Sequence, residues 1–193
     1  MSVIIIKYNA GNIYSMSLAL QRLGVQAEIS DDVNKIRSAN KVIFPGVGEA
    51  SSAMNHLHKT GLDKIIPALT QPFLGVCLGL QLLCKYSEEN KTTCLGVYDE
   101  IVRKFPPQDK VPHIGWNSLD ISDSLLFKDL NQEEYVYFVH SYYAATGEDT
   151  IATTDYIVPF SAALHKDNFY SVQFHPEKSG KVGEKILRNF LEL

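Results

Sequence analysis

The chain has 193 residues, with 18 basic against 22 acidic side chains, a formal net charge of -4 and no long basic run, so a nucleic-acid partner is not expected. Hydrophobic residues make up 45%, enough for a sizeable core in one domain spanning 1–193, and the apolar runs are only strand-length, so neither a transmembrane helix nor a membrane partner is expected. Cys77, Cys84 and Cys94 contain no Cys-x-x-Cys pair and Met1–Lys7 reads as a buried strand without signal-peptide features, which together predict a cytoplasmic protein with free thiols, no metal and no cofactor.

Strands and helices alternate along the first half. Val3–Lys7 is strand-like, and Asn12 is placed to cap a helix to about Leu23, with Ile13, Met16, Leu20 and Leu23 on one face. Val25–Ser30 and Lys41–Phe44 read as strands. A helix is expected after Gly48, another near Leu62–Leu69, and the strand Pro72–Val76 should feed a helix after Cys77. This alternation predicts a doubly wound α/β fold with a mostly parallel sheet. In the second half, Cys94–Phe105, Tyr135–Ala145, Thr150–Tyr156, Ser161–His165 and Phe169–Phe174 read as strands joined by short turns, an antiparallel extension of the sheet. Phe105–Pro112 looks like a surface loop. A closing helix over about Gly180–Leu191 should bury Val182, Ile186, Leu187, Phe190 and Leu191.

The chemistry concentrates on Cys77. A lone cysteine in an apolar run is most often core, and Cys84 is read that way. Cys77, however, is flanked by Gly75 and Gly79 where a strand turns into a helix, the spacing of a nucleophile elbow. A sulfur at a helix N-terminus faces unpaired N–H groups that favour the thiolate. Downstream, the run Gln173-Phe174-His175-Pro176-Glu177 ends another apolar strand. In extended backbone, residues two apart point the same way, so Glu177 can reach and orient the imidazole of His175, the arrangement of a Cys–His–Glu triad.

Pro45-Gly46-Val47-Gly48 has three readings. The first is a phosphate loop, although the third glycine of a dinucleotide fingerprint is replaced by Ser51. The second is an oxyanion loop in which Val47, or a glycine beside it, and Leu78 supply N–H donors. The third is a plain tight turn. Among the other histidines, His56 and His58 read as solvated on a polar helix, His113 as a loop residue and His165 as lying near a strand end, while His140 could line a site. Ser141 lacks elbow glycines and is not a nucleophile candidate. Tyr135, Tyr137, Tyr142, Tyr143 and Trp116 are core or interface aromatics.

Taken together these segments, with Tyr8–Asn12, Pro112–Asn117, His140–Tyr142 and Gln173–Ser179, resemble the class I glutamine amidotransferases almost end to end, and within them the glutaminase subunits of imidazole glycerol phosphate synthases. The resemblance implies an amidotransferase-type fold in which Cys77 attacks the glutamine carboxamide to give a glutamyl thioester and ammonia. It also implies that Gln81 and Glu89, with backbone of Gly48, Ser141 and Tyr142, hold the substrate's amino-acid end. Ammonia would pass, within a heterodimer, to a (β/α)8-barrel synthase (cyclase) subunit that forms imidazole glycerol phosphate and aminoimidazole carboxamide ribotide in histidine biosynthesis. Asn12, Trp116, Asn117 and Lys178 would lie on or near the partner face. The first loop departs from the family's frequent Asp-Tyr-Gly-x-Gly-Asn, reading Lys7-Tyr8-Asn9-Ala10-Gly11-Asn12. Alternatives are the same glutaminase feeding a sugar-modifying amidotransferase, a stand-alone γ-glutamyl cysteine hydrolase, or a non-catalytic binding subunit.

Overall fold

The computed structural model describes residues 1–8 and 13–193. The first half runs β1 (Val3–Ile6), α1 (Ile13–Arg22), β2 (Glu28–Ser30), α2 (Val33–Ser38), β3 (Lys41–Gly46), α3 (Ala50–Thr60), α4 (Leu62–Ile65), β4 (Phe73–Cys77) and α5 (Leu78–Leu83). The second half adds β5 (Tyr86–Ser87), β6 (Thr92–Thr93), β7 (Ile101–Lys104), β8 (His113–Ser118), β9 (Asp120–Ile121), β10 (Tyr135–His140), β11 (Tyr142–Ala144), β12 (Thr150–Tyr156), β13 (Val158–Lys166), β14 (Phe169–Val172) and α6 (Gly180–Glu192). No helix among the described residues is long and apolar enough to cross a membrane.

The main sheet has the order β2-β1-β3-β4-β14-β13-β12-β9. Its pairs are parallel from β2 to β14 and antiparallel beyond, which is the mixed α/β architecture expected. Both faces are covered, so the central strands are apolar throughout rather than alternating. Val3 and Ile5 of β1 point into a core shared with Met16 and Leu20 of α1 and Ile186, Leu187 and Phe190 of α6. Ile4 and Ile6 point into the opposite core, with Ile36 of α2 and Met54 and Leu57 of α3.

Local chemistry sets the helix ends. The Asp32 carboxylate accepts from the N–H groups of Asn34 and Lys35 at 2.8 and 3.2 Å and starts α2. Gly61, at φ 73°, ends α3 in the left-handed conformation that a glycine adopts without Cβ strain. In α6 the amide of the buried Asn189 donates to the carbonyls of Leu126 and Lys128 at 3.0 and 2.8 Å, tying the helix to the turn below it.

Several expectations are corrected. The span Cys94–Phe105 is not one strand, because Gly96 turns at φ 69° and the chain resumes pairing only at Ile101. Tyr135–Ala145 breaks at Ser141, with β10 pairing β8 and β11 pairing β7 in another sheet. His113 is not a loop residue: it begins β8, is buried, and pairs with His140. Phe105 is buried rather than part of an exposed loop, and Val182 and Leu191 pack only half-buried against the core. The helix expected over Leu62–Leu69 is α4 continued by a 3-10 turn at Ile66–Ala68. Asn12 as a cap lies outside the described residues.

At the centre of the sheet α5 lies almost against β3. A Cβ on Gly79 would stand 1.9 Å from the Phe44 carbonyl oxygen, whereas one on Gly24, at φ 80°, would meet nothing within 4 Å. Gly79→Ala should therefore cost at least the upper end of about 1–3 kcal/mol, since backbone must move. Gly24→Ala should cost only the left-handed strain of about 1–2 kcal/mol. Urea denaturation of the two variants checks the order; equal losses would refute the close-approach argument.

Candidate active site

β3, β4 and β14 are neighbours in the sheet, and their carboxyl ends converge, the position where open α/β sheets bind ligands. Cys77 is the last residue of β4. Its backbone sits at φ 55° and ψ -108°, a region that a residue with a Cβ rarely occupies. Gly75 and Gly79 make this turn possible, because a Cβ on Gly75 would come 2.8 Å from Leu83 and 3.1 Å from Gly79. The elbow expected from sequence is formed, and the sulfur stands above the strand ends at the start of α5.

β14 carries the chain past Gln173 to His175. The His175 Nδ1 and Glu177 Oε1 are 2.8 Å apart, and both side chains are 2% exposed. With Nδ1–H donating to the carboxylate, the Nε2 lone pair remains; Nε2 is buried and makes no hydrogen bond among the described residues. Burial opposes a charge on the ring, yet Cys77 and the Glu177 carboxylate outweigh it and raise the His175 pKa to about 10. The ring therefore keeps a proton readily when a thiolate stands beside it.

The backbone fixes this segment in place. His175 N–H donates to the Tyr137 carbonyl at 2.9 Å, Tyr137 N–H donates to Ser179 Oγ at 3.0 Å, and the Ser179 hydroxyl donates to the His175 carbonyl at 2.7 Å. Gly183 lets α6 pack on the same turn, since a Cβ there would be 1.9 Å from the Pro176 carbonyl oxygen.

A cleft of about 320 Å³ opens at Cys77. Val47, Gly48, Leu78, Gln81, Glu89, Ser141 and Tyr142 all line it, so every expected oxyanion and substrate-side residue is gathered there. Pro45 and Gly46 end β3 rather than follow it, and the turn just after them brings Val47 to the same wall as Leu78. Glu89 accepts from the Ala50 N–H at 2.7 Å, and half-burial raises its carboxyl pKa against that bond. Gln81 is more committed than expected: its Nε2 donates both to the Tyr142 carbonyl and to Gln173 Oε1, each at 2.9 Å, leaving its Oε1 for a ligand.

The sequence reading missed Gln173 and Tyr8. Gln173 is fully buried and points its Nε2 at the Cys77 sulfur, 3.6 Å away. The buried Tyr8 hydroxyl lies against Gly46, so close that a Cβ there would be 2.1 Å from it. Burial and the Cys77 charge push the Tyr8 hydroxyl well above the ordinary phenol range. For Gln173 the signal was an amide just past the end of a buried strand, since a buried polar group demands a partner.

His113 and His140 form a second buried polar group. The His113 Nδ1 and His140 Nε2 are 3.1 Å apart, and His140 Nδ1 lies 2.8 Å from the Tyr142 carbonyl oxygen. Because that oxygen only accepts, His140 Nδ1 carries a proton, and its Nε2 accepts from His113. Burial lowers the pKa of His113 to about 4 and that of His140 to about 3, with the neighbouring imidazoles adding to the shift at His140. His140 lines the cleft, as expected. His58 is exposed and 2.9 Å from Asp63, while His56 Nε2 is buried rather than solvated.

Of the expected partner-face residues, Trp116 is more than half exposed and stacks edge-on to Tyr137 with centroids 6.0 Å apart; Lys178 is exposed with Nζ 5.8 Å from the same ring. Asn117 differs, as strand alternation turns it away from Trp116. Its amide donates to the Asp155 carbonyl at 3.0 Å and approaches His113 Nε2 at 3.5 Å. Asn12 is outside the described residues.

The family model for glutamine amidotransferase class-I matches residues 4–193. A Bacteroides thetaiotaomicron protein named imidazole glycerol phosphate synthase subunit HisH is 59% identical, with 100% of both chains covered. A Pasteurella multocida protein of the same name is 47% identical over 99% of this chain and 98% of its own. A solved glutamine amidotransferase structure superposes with a TM-score of 0.77 at 19% identity, covering 99% of this chain and 98% of that one, a likeness of fold.

The buried histidine pair generates a pH prediction. Both pKa values lie below the unfolded value of about 6.5, so as the pH falls below that value the unfolded chain takes up protons that the folded chain refuses. Stability should fall from about pH 6.5 down to the folded values. In His113→Gln the slope of unfolding free energy against pH, from urea titrations between pH 7 and 5, should flatten by up to about 1.4 kcal/mol per pH unit. An unchanged slope would mean that His113 is not held neutral.

Proposed function

The chain belongs to the class I glutamine amidotransferases, and from that premise we propose that residues 1–193 form a single glutaminase domain which hydrolyses glutamine and delivers the ammonia to a (β/α)8-barrel synthase subunit in histidine biosynthesis. The observation carrying this reading is the buried His175–Glu177 pair beside a strained Cys77 at the mouth of a cleft. The full-length likeness to imidazole glycerol phosphate synthase subunits supports the pathway.

Cys77 gives its proton to His175 Nε2, and the thiolate attacks the carboxamide carbon. The tetrahedral oxyanion forms against the Val47 and Leu78 edge of the cleft, where backbone N–H groups stabilise it. His175 then protonates the leaving nitrogen, ammonia departs, and a thioester remains. Water attacks the thioester, with His175 as base, releasing glutamate and restoring the thiol. Glu177 orients the ring and compensates its charge in each half-reaction. At the other end of the substrate, the Glu89 carboxylate and Gln81 Oε1 offer acceptors for the α-ammonium.

The cyclase subunit docks, as a heterodimer in the cytoplasm, on the side bearing Trp116 and Lys178, with Asn117 behind the exposed ribbon face. There it uses ammonia to make imidazole glycerol phosphate and aminoimidazole carboxamide ribotide. A sugar-modifying synthase would use the same glutaminase chemistry.

Reconstitution with the barrel synthase tests this. Cys77→Ala should abolish glutamine-dependent synthesis, and Glu177→Gln should lower it on the order of 10⁴-fold, as loss of the orienting carboxylate does in other triads. Both complexes should retain synthesis from ammonium salts. Glutaminase activity surviving Cys77→Ala would overturn the assignment, and cleavage of γ-glutamyl peptides without a partner would favour a stand-alone hydrolase.

A further inference from the structure

Among the described residues the sulfur of Cys77 has two hydrogen-bonding neighbours besides His175. One is the Val139 carbonyl oxygen at 3.9 Å, which can accept a hydrogen bond from a thiol and offers nothing to a thiolate. The other is the Gln173 amide nitrogen at 3.6 Å. A side-chain amide has a donor end and an acceptor end, and which end faces the sulfur decides the chemistry. Here the surrounding bonds settle it. The Tyr142 carbonyl can only accept, so it fixes the amino end of Gln81 toward it. The other hydrogen of that amino group needs an acceptor, and Gln173 Oε1 at 2.9 Å provides it. The amino end of Gln173 is left facing Sγ. Burying two glutamine side chains is costly unless each polar end is matched, and here the match terminates on the reacting atom.

We propose that Gln173 is a catalytic residue of this site, donating an N–H to the Cys77 sulfur that favours its thiolate form and fixes its direction, with Gln81 as the strut that keeps the donor end forward. The inference rests on the glutaminase reading above. An N–H aimed at sulfur strengthens when the sulfur becomes an anion, as hydrogen bonds to charged partners do. It also supplies a fixed partner besides His175, so the sulfur keeps its direction after its proton has moved to the imidazole. Among the described residues neither Cys84 nor Cys94, both buried, receives such a donor from a side chain; each thiol instead meets a backbone carbonyl, of Leu80 and of Thr92.

Alkylation of the full chain by iodoacetamide, followed on the Cys77 peptide by mass spectrometry, tests this without glutamine or a partner. Gln173→Glu preserves shape and the acceptor for Gln81 but turns an anion toward the sulfur. Gln173→Met removes the donor and keeps the volume. The pH of half-maximal alkylation should move upward by about one unit in Gln173→Met and further in Gln173→Glu, on the scale of one hydrogen bond to a charged group. In the reconstituted complex kcat should fall about tenfold or more in Gln173→Met with KM for glutamine little changed. A purely structural role would lower the thermal midpoint and leave the alkylation profile in place. Folded Gln173 variants with an unchanged profile overturn the proposal. Should neither variant fold, Gln81→Met frees the Gln173 amide to rotate without touching sulfur; an upward shift supports the proposal and no shift overturns it. Cys77→Ala run alongside separates the two ideas, because glutaminase surviving in that variant refutes the nucleophile itself rather than its partner.

Discussion

Everything at the site depends on how closely α5 approaches β3. The backbone of Gly79 lies where any side chain would strike the Phe44 carbonyl oxygen. That approach forces the chain to reverse within a single residue, and Cys77 takes up the reversal with φ at 55°. A strained cysteine is stable only because the surrounding sheet over-determines it: β4 is paired on both sides, and both faces are buried. The same crowding places Leu78 at the cleft wall and leaves no freedom for the sulfur to retreat into the core. Strain at Cys77 and the placing of its sulfur at the cleft are two consequences of one packing decision.

A second layer of organisation is polar and interior. From His113 through His140 to the Tyr142 carbonyl, and from that oxygen through Gln81 and Gln173 to Cys77, each group has one orientation compatible with its neighbours. Such networks rigidify when fully matched and are costly when one member is lost. The cleft wall at Tyr142 is therefore held by the same bonds that orient the amide at the sulfur. The neutral histidines belong to this arrangement, since a charge on either would have to be accommodated among Phe105, Phe138 and Phe160.

The first half of the fold was legible because its signals are local. Apolar runs of strand length alternate with helical periodicity, and glycines at 75 and 79 around Cys77 announce the elbow. His175 and Glu177 were legible for a similar reason, as extended backbone and Pro176 restrict where two residues can point. What escaped is long-range. Tyr135–Ala145 is apolar and aromatic apart from His140 and Ser141, with no glycine or proline to mark the change of sheet, which is set by the strands that β10 and β11 happen to meet. His113 sits between Pro112 and Gly115 and reads as loop, while its strand character comes from pairing with His140 far along the chain. Gln173 gave only the oddity of an amide just past the end of a buried strand, and its meaning depends on Gln81, whose own orientation depends on a backbone carbonyl. Substrate-side residues such as Glu89 were named through family resemblance; a 3-10 turn carries no periodicity to reveal them.

The bonds that seat His175 run through the main chain of Tyr137 and through Ser179, whereas the side chain of Tyr137 faces Trp116 and Lys178 on the outer surface. Main-chain groups are the same for almost every amino acid. The exposed aromatic surface can thus be rewritten over generations, residue by residue, while the path of the strand and the seat of the imidazole persist. A fold wired in this way can acquire new recipients for its product without reinventing the chemistry that makes it.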